Sequence, residues 1–322
     1  MVEVDGSYLA FSLSAATKKS CRVFNIKDLT GQRLLEIQTL AKLSNGKLEG
    51  DYPGSEEIKF FPGELYRDRV SVNIPAAGSI VLILQTLILP ALLSAVPVKI
   101  IFEGGATDTF FSPTMDYFKF VFLKILEIMG AKVEINVLKR GYYPAGGAIL
   151  EVNIFPSKLK SLDLIEIGKL NKILAISGAS ESLQKQKVAE RQIAGVREIL
   201  GKLNLPIEEK IEYYPTQCPG SQICLVAEFD NTIIGTDVLG VPGKKIEDVG
   251  KEAALELLKE QKSDACLDRH LAEQILPYMA LATGKSKITI SEINEAVLSQ
   301  IPVIEKFFEG RFTIKNNLIS YN

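Results

Sequence analysis

Three stretches of this chain repeat one another at a distance, and that repetition constrains the fold more than any other feature. They read LSAATKKSCRVFNI, LLSAVPVKIIFEGG and LATGKSKITISEIN. Each ends an apolar, helix-like run, crosses a short turn and enters a β-rich segment. A second amphipathic helix follows each of them: GQRLLEIQTLAKLSNG, PTMDYFKFVFLKILEIMGA and NEAVLSQIPVIEKFFEG. In the middle one, Phe118, Val121, Phe122, Ile125 and Met129 fall at the spacing of one helical face. Strand-like segments close the units: EIKFFPG with VSVNI, KVEINVL with AILEVNIF, and RFTIKNNLISY. A unit of helix, strand, helix, strand, strand therefore recurs, and each copy must bury its apolar face against a neighbour.

A block of different character lies between the second and third copies. It opens with the polar amphipathic helix QKVAERQIAGVREILGKL, passes through EKIEYY, ICLVAEF and NTIIGTDV, and ends in IEDVGKEAALELLKEQ. The turn signals TQCPGS and LGVPGK punctuate it. We expect an inserted small α/β domain over 177–263, within a discontinuous host of residues 1–176 and 264–322. The fold class is α/β (α+β), with helices packed on sheet faces.

The run SIVLILQTLILPALLSAVPV is apolar enough to suggest a membrane span, but Gln85, Thr86 and Pro90 interrupt it. It reads as a buried core helix, with no membrane partner. The start MVEVDGSYLAF carries neither the basic residues nor the cleavage site of a secretory signal, so a cytoplasmic location is expected. Cys21, Cys218, Cys224 and Cys266 lack CxxC spacing and read as reduced thiols. The formal net charge of −2 supplies no general field for nucleic acid. Any RNA partner must be held by a local site, such as one that recognises a terminus.

RGYYPAGG, residues 140–147, is the most unusual turn in the sequence. Its glycines allow close backbone approach, its proline fixes the bend, and Arg140 can pair with a phosphate through two donors. A strand follows it, which excludes a Walker loop. A phosphate cradle and a tight corner between strands both remain open.

RGYYPAGGA also resembles the signature of the RNA 3′-terminal phosphate cyclase family: Arg or His, Gly, two residues, Pro, one residue, then three glycines. AAGSIVLILQTLILPALL and GGATDTFFSPTMDYF resemble that family's middle unit. GTDVLGVPGKKIEDVGKEAA resembles its inserted domain and DRHLAEQILPYMALA its third unit, so the likeness runs in order through nearly the whole chain. It implies three repeated units, each a four-stranded sheet with two helices, plus a small α/β insertion. It also implies a chemistry in which ATP and Mg or Mn convert an RNA 3′-phosphate into a 2′,3′-cyclic phosphate. A histidine takes AMP covalently, because an imidazole combines nucleophilicity at neutral pH with a labile phosphoramidate product. Cations and fixed donors surround the transferred phosphoryl group.

This sequence departs from the family pattern at that point. Matching PVIEKFF to the family's helix places Ala296 at the nucleophile, with Glu295 beside it. A methyl group cannot attack a phosphate, so no catalytic residue is assigned. The sole histidine, His270, sits in DRHLAEQ, where relatives carry His or Tyr near the nucleotide. The family's acidic glycine-rich loop is shortened to VDGSYLAFSLSAA, without its glutamate and with Ala10 at the arginine position. NIKDLTGQRLLEIQ keeps Lys27, Arg33 and Gln38 of a fuller basic cluster. Glu273 matches a family Asp and Gln274 a family Gln. With His270 they share one helical face, which equally suits a solvated polar stripe. The third signature glycine is Ala148, whose methyl group would crowd a ligand at that amide.

The resemblance thus implies nucleotide contacts from Gln38, His270, Glu273 and Gln274. It implies RNA or phosphate contacts from Lys27, Arg33, Arg140, Gly141, Tyr143, Pro144, Gly146 and Gly147. Lys139 adds a cation, and Tyr142 and Tyr143 are available either for base stacking or for packing under the turn. No metal ligand is assigned, and ATP with Mg or Mn enters only where the cyclase reaction survives. The expected function is a cyclase-like protein that binds and processes RNA, at a 3′ end or in ribosomal RNA, without adenylating itself. An active ATP-dependent cyclase with a rearranged site is one alternative; another transferase on the enolpyruvyl-transferase-like scaffold is a second.

Overall fold

The structure, a computed structural model, describes residues 1–322 other than 28, 204 and 205. Its first unit runs Val2–Asp5, helix Leu9–Thr17, Cys21–Phe24, helix Gly31–Leu43, Lys47–Glu49 and Ile58–Phe61. The second runs Arg69–Ser79, helix Ile80–Ala91, Val98–Ala106, a helical stretch over 115–128, Lys132–Lys139 and Ile149–Phe155. The third opens with Asp163–Leu164 and resumes later with helix Arg269–Leu281, Ser286–Thr289, helix Glu295–Phe307, Phe312–Lys315 and Leu318–Tyr321.

Pairing is the same in all three units. The first strand lies parallel to the second, the second antiparallel to the fourth, and the third antiparallel to the fourth. The order helix, strand, helix, strand, strand is therefore corrected to one that opens with a strand. VSVNI does not close the first unit: it opens the second, paired parallel with Val98–Ala106. The place it was expected to fill belongs to Lys47–Glu49, which is too short for alternation to reveal.

A fourth sheet, also of four strands, has the order Ile207–Tyr214, Leu170–Ser180, Ser221–Phe229, Ile233–Leu239. Leu170–Ser180 runs across residue 177. Helices Val188–Leu200 and Ile246–Gln261 cover this sheet, and Ile173, Ile193, Val196, Leu225 and Leu257 form its own apolar core.

Helix Ile80–Ala91 explains its membrane-like sequence by its position. It packs against Leu9–Thr17 and Gly31–Leu43 of the first unit and Arg269–Leu281 of the third. Nine of its residues are buried, so apolar side chains are needed almost all round. Ser79 caps its start by accepting from the Leu82 amide at 3.2 Å. Pro90 falls in the last turn of the twelve-residue helix. Among the described residues no helix is long and apolar enough to cross a membrane.

The RGYYPAGG segment links Lys132–Lys139 to Ile149–Phe155 with a cis bond between Tyr143 and Pro144. Gly146 has φ +69°, and a β-carbon there would stand 2.0 Å from the Ala76 carbonyl oxygen, so only glycine fits. The amides of Gly141, Gly146 and Ala148 donate to Thr107 Oγ1, the Tyr142 carbonyl and the Gly105 carbonyl. The Ala148 methyl is fully buried and crowds no ligand at that amide, which is already engaged.

Arg140 is 6% exposed and points inward. Its guanidinium donates to Asp108 at 3.0 Å and to Asp116, and it lies 4.7 Å from the centre of the Tyr214 ring. Asp116 also accepts from Gln222 at 3.1 Å, and Gln222 accepts from the Tyr142 hydroxyl. This network fastens the second unit to two strands of the inserted sheet. Burial opposes the Arg140 charge, but the two carboxylates overcome it and hold its pKa well above the ordinary value. Burial in turn pushes the Asp108 carboxyl up, against the pull of Arg140. Removing the arginine would leave two carboxylates buried without their counter-ion. Arg140→Ala should therefore lose roughly 3–5 kcal/mol of folding stability, read as a lowered urea midpoint. An unchanged midpoint would contradict this role.

Candidate functional site

A cavity of about 850 Å³ opens where the three units and the inserted sheet meet. The central helix supplies one wall through Leu82, Gln85 and Thr86, spaced three and four apart, the half-buried stripe of an otherwise buried helix. Gln85 and Thr86, which interrupt the apolar run, are thus residues that face the cavity. The first unit supplies Asp5, Tyr8, Ser12 and Arg33. Loop residues Phe111 and Ser112 supply the rim, where Ser112 hydrogen-bonds Ser79 at 2.6 Å.

Helix Arg269–Leu281 brings His270, Glu273, Gln274 and Tyr278 to the same space. Asp268 fixes its start, accepting from the amides of His270 at 3.0 Å and Leu271 at 2.9 Å. The same carboxylate accepts from the Gly235 amide at 3.1 Å and the Tyr117 hydroxyl at 2.7 Å. That grip sets the helix against strand Ile233–Leu239, which contributes Asp237 to the wall. Helix Glu295–Phe307, capped by Asn294 accepting from the Val297 amide at 2.9 Å, adds Ala296 in its first turn and Gln300 one turn on.

Five residues singled out from sequence therefore line one cavity: Arg33, His270, Glu273, Gln274 and Ala296. The others lie elsewhere. Gln38 donates to Asp51 at 3.1 Å, Lys27 is exposed, and Arg140 is engaged as described. Gly141, Tyr143, Pro144, Gly146 and Gly147 belong to the cis-proline corner, where Tyr143 is exposed and packs edge-on against Phe110. Tyr142 packs beneath that corner and is 2% exposed.

The wall is acidic. Asp5, Asp237 and Glu273 face it, against Arg33 and His270. Arg33 is itself paired with Glu36 at 2.9 Å and stacks 4.9 Å from the Tyr8 ring centre. His270 Nε2 accepts from the Arg269 guanidinium at 3.2 Å. Burial pushes the Glu273 carboxyl up, with the neighbouring His270 opposing the shift. Burial likewise raises Asp237 to about 6, offset in part by its hydrogen bond from the Thr114 amide at 2.5 Å. Four buried side-chain polar atoms of residues that line the cavity have no hydrogen-bond partner among the described residues: Ser12 Oγ, Gln274 Oε1, Tyr278 OH and Gln300 Oε1.

Sequence reasoning missed Asp237, Tyr278 and Gln300, although Asp237 and Tyr278 fall within the stretches GTDVLG and DRHLAEQILPY that carry the family likeness, and Gln300 lies two residues before PVIEKFF. Nothing in one sequence distinguishes these side chains from their neighbours; only the meeting of the units does.

The Asp237 shift has a definite sign. Between pH 4 and 6 the folded protein keeps a proton that the unfolded chain, with an ordinary value of 3.8, has lost. Stability from this group is fully present below about pH 4 and lost as the pH rises through about 6. Asp237→Asn keeps an acceptor for Thr114, so its melting temperature should overtake the wild type as the pH rises across that window. A difference that does not vary with pH would contradict the assignment.

The family model for RNA 3′-terminal phosphate cyclase matches residues 8–314. The chain is 38% identical to the RNA 3′-terminal phosphate cyclase of Pyrococcus furiosus, covering 99% of this chain and 96% of the relative. It is 37% identical to the same-named protein of Thermococcus kodakarensis, covering 98% and 95%. The corresponding protein of Pyrobaculum neutrophilum is 35% identical over 98% of this chain and 95% of its own. With a match of that extent laid over three repeated units and an insertion, the chain belongs to the RNA 3′-terminal phosphate cyclase family.

Proposed function

We propose that this protein is a cyclase-like RNA-processing factor that binds RNA, at a 3′ end or in ribosomal RNA, without carrying AMP on its own side chain. The observation that carries the reading is Ala296. At the position matched to the family's nucleophile, the cavity wall offers a methyl group. A covalent adenylate needs a lone pair there, and no rearrangement of an alanine supplies one.

The surrounding charges support the same reading. A triphosphate would meet three carboxylates, and Arg33 is already engaged by Glu36. The residues present do not fit a bare triphosphate. We therefore assign no step to ATP, Mg or Mn. A neutral nucleoside portion fits better, because it brings no negative charge to the three carboxylates. On this reading His270, Glu273, Gln274 and Arg33 shape a pocket for the end of an RNA. Lys27 and Tyr143, both exposed, extend the contact to phosphate and base.

An active cyclase is the second reading, favoured by one observation: His270 shares the cavity with Ala296. Its Nε2 lone pair accepts from Arg269, which leaves it less available for attack. The two readings separate in one assay. Given ATP, Mg or Mn and a 3′-phosphorylated RNA, the protein should bind the RNA and leave its end sensitive to phosphatase. Conversion to a phosphatase-resistant cyclic end would favour the second reading. In that event His270→Ala should abolish the conversion, and undiminished activity would remove His270 as the nucleophile.

A further inference from the structure

A second, smaller pocket lies away from the acidic cavity, at the seam between the second unit and the inserted sheet. Its volume is about 240 Å³. That is below the roughly 300–1,000 Å³ usual for whole small-molecule ligands, which suits one chemical group rather than a molecule. Lys119, Lys139, Arg140 and Lys210 line it, together with the carboxylates Asp116 and Glu212.

The charges do not cancel locally. Asp116 is engaged by Arg140, and Glu212 pairs with Lys210 at 3.1 Å. Lys119 and Lys139 have no carboxylate within ion-pair distance among the described residues. Lys119 is half-buried, and its ammonium lies 5.6 Å from the centroid of the neighbouring Phe120 ring. Its backbone belongs to the one π-helical turn among the described residues, Phe118–Phe122, a wider turn that often marks functional positions. Burial pulls the Lys119 pKa down, and Arg140 and Lys210 add to that effect against the carboxylates. A half-buried ammonium in that setting is stabilised by an anion that reaches it.

We propose that this pocket is a phosphoryl-binding site, with Lys119 and Lys139 as its cations and a phosphate of bound RNA or a free phosphate ion as its ligand. It is separate from the cavity that holds Ala296, so it stands whether or not that cavity proves inactive. Lys119 reaches from the second unit and Lys210 from the insertion, so a bound phosphate would also tie the two together.

The test uses the full chain, Lys119→Gln, and Lys119→Arg as the charge-keeping control. Inorganic phosphate should raise the melting temperature of the wild type and of Lys119→Arg, but not of Lys119→Gln. A fluorescent single-stranded RNA should bind Lys119→Gln roughly tenfold more weakly than wild type. Its logarithmic salt dependence should be shallower by about 0.7, because one phosphate fewer is neutralised. A phosphate effect with unchanged RNA binding assigns the site to free phosphate; a change in RNA affinity and salt slope assigns it to the RNA backbone. If Lys119→Gln matches wild type in both measurements, the proposal is overturned. Neither measurement involves adenylation, so its failure is distinct from a failure of the proposed function.

Discussion

The three repeated units are arranged around a helix that has almost no polar side. Ile80–Ala91 buries nine residues and so has to be enclosed by the helices of the first and third units. Three copies of one supersecondary unit are held together because the middle copy's first helix is stable only in their company. The arrangement leaves one stripe of that helix, Leu82, Gln85 and Thr86, facing a space the units enclose together. The candidate cavity is thus a consequence of how the core is closed.

What the cavity can do follows from which atoms reach it. Helix Arg269–Leu281, clamped through Asp268, presents amide, phenol, imidazole and carboxyl groups; helix Glu295–Phe307 presents a methyl group and an amide. The cavity's amide, hydroxyl and imidazole groups suit a hydrogen-bonding occupant. Three carboxylates disfavour one with many negative charges. The wall carries groups suited to recognition, and at position 296 it offers a methyl group.

Much of this was legible in the sequence, for local reasons. Apolar periodicity exposed the paired helices, and the His270, Glu273, Gln274 spacing put three side chains on the face that lines the cavity. Where strand pairing is non-local, the sequence was silent. Arg69–Ser79 alternates buried and exposed residues whichever sheet it joins, and Asp163–Leu164 is only two residues long. The pairing of Arg140 was hidden for a physical reason. Beside glycines the arginine reads as a phosphate ligand, but its partners Asp108 and Asp116 lie 32 and 24 residues away and become neighbours only on folding. Asp237 was invisible in the same way, since its elevated pKa comes from burial beneath another unit.

The central claim is that this family scaffold, with a methyl group at position 296, stores no AMP. Intact-protein mass spectrometry of the purified chain after incubation with ATP and Mg or Mn measures that directly. The expected spectrum shows the mass of the unmodified polypeptide alone. A species heavier by one adenylate would contradict the account, whichever side chain carried it.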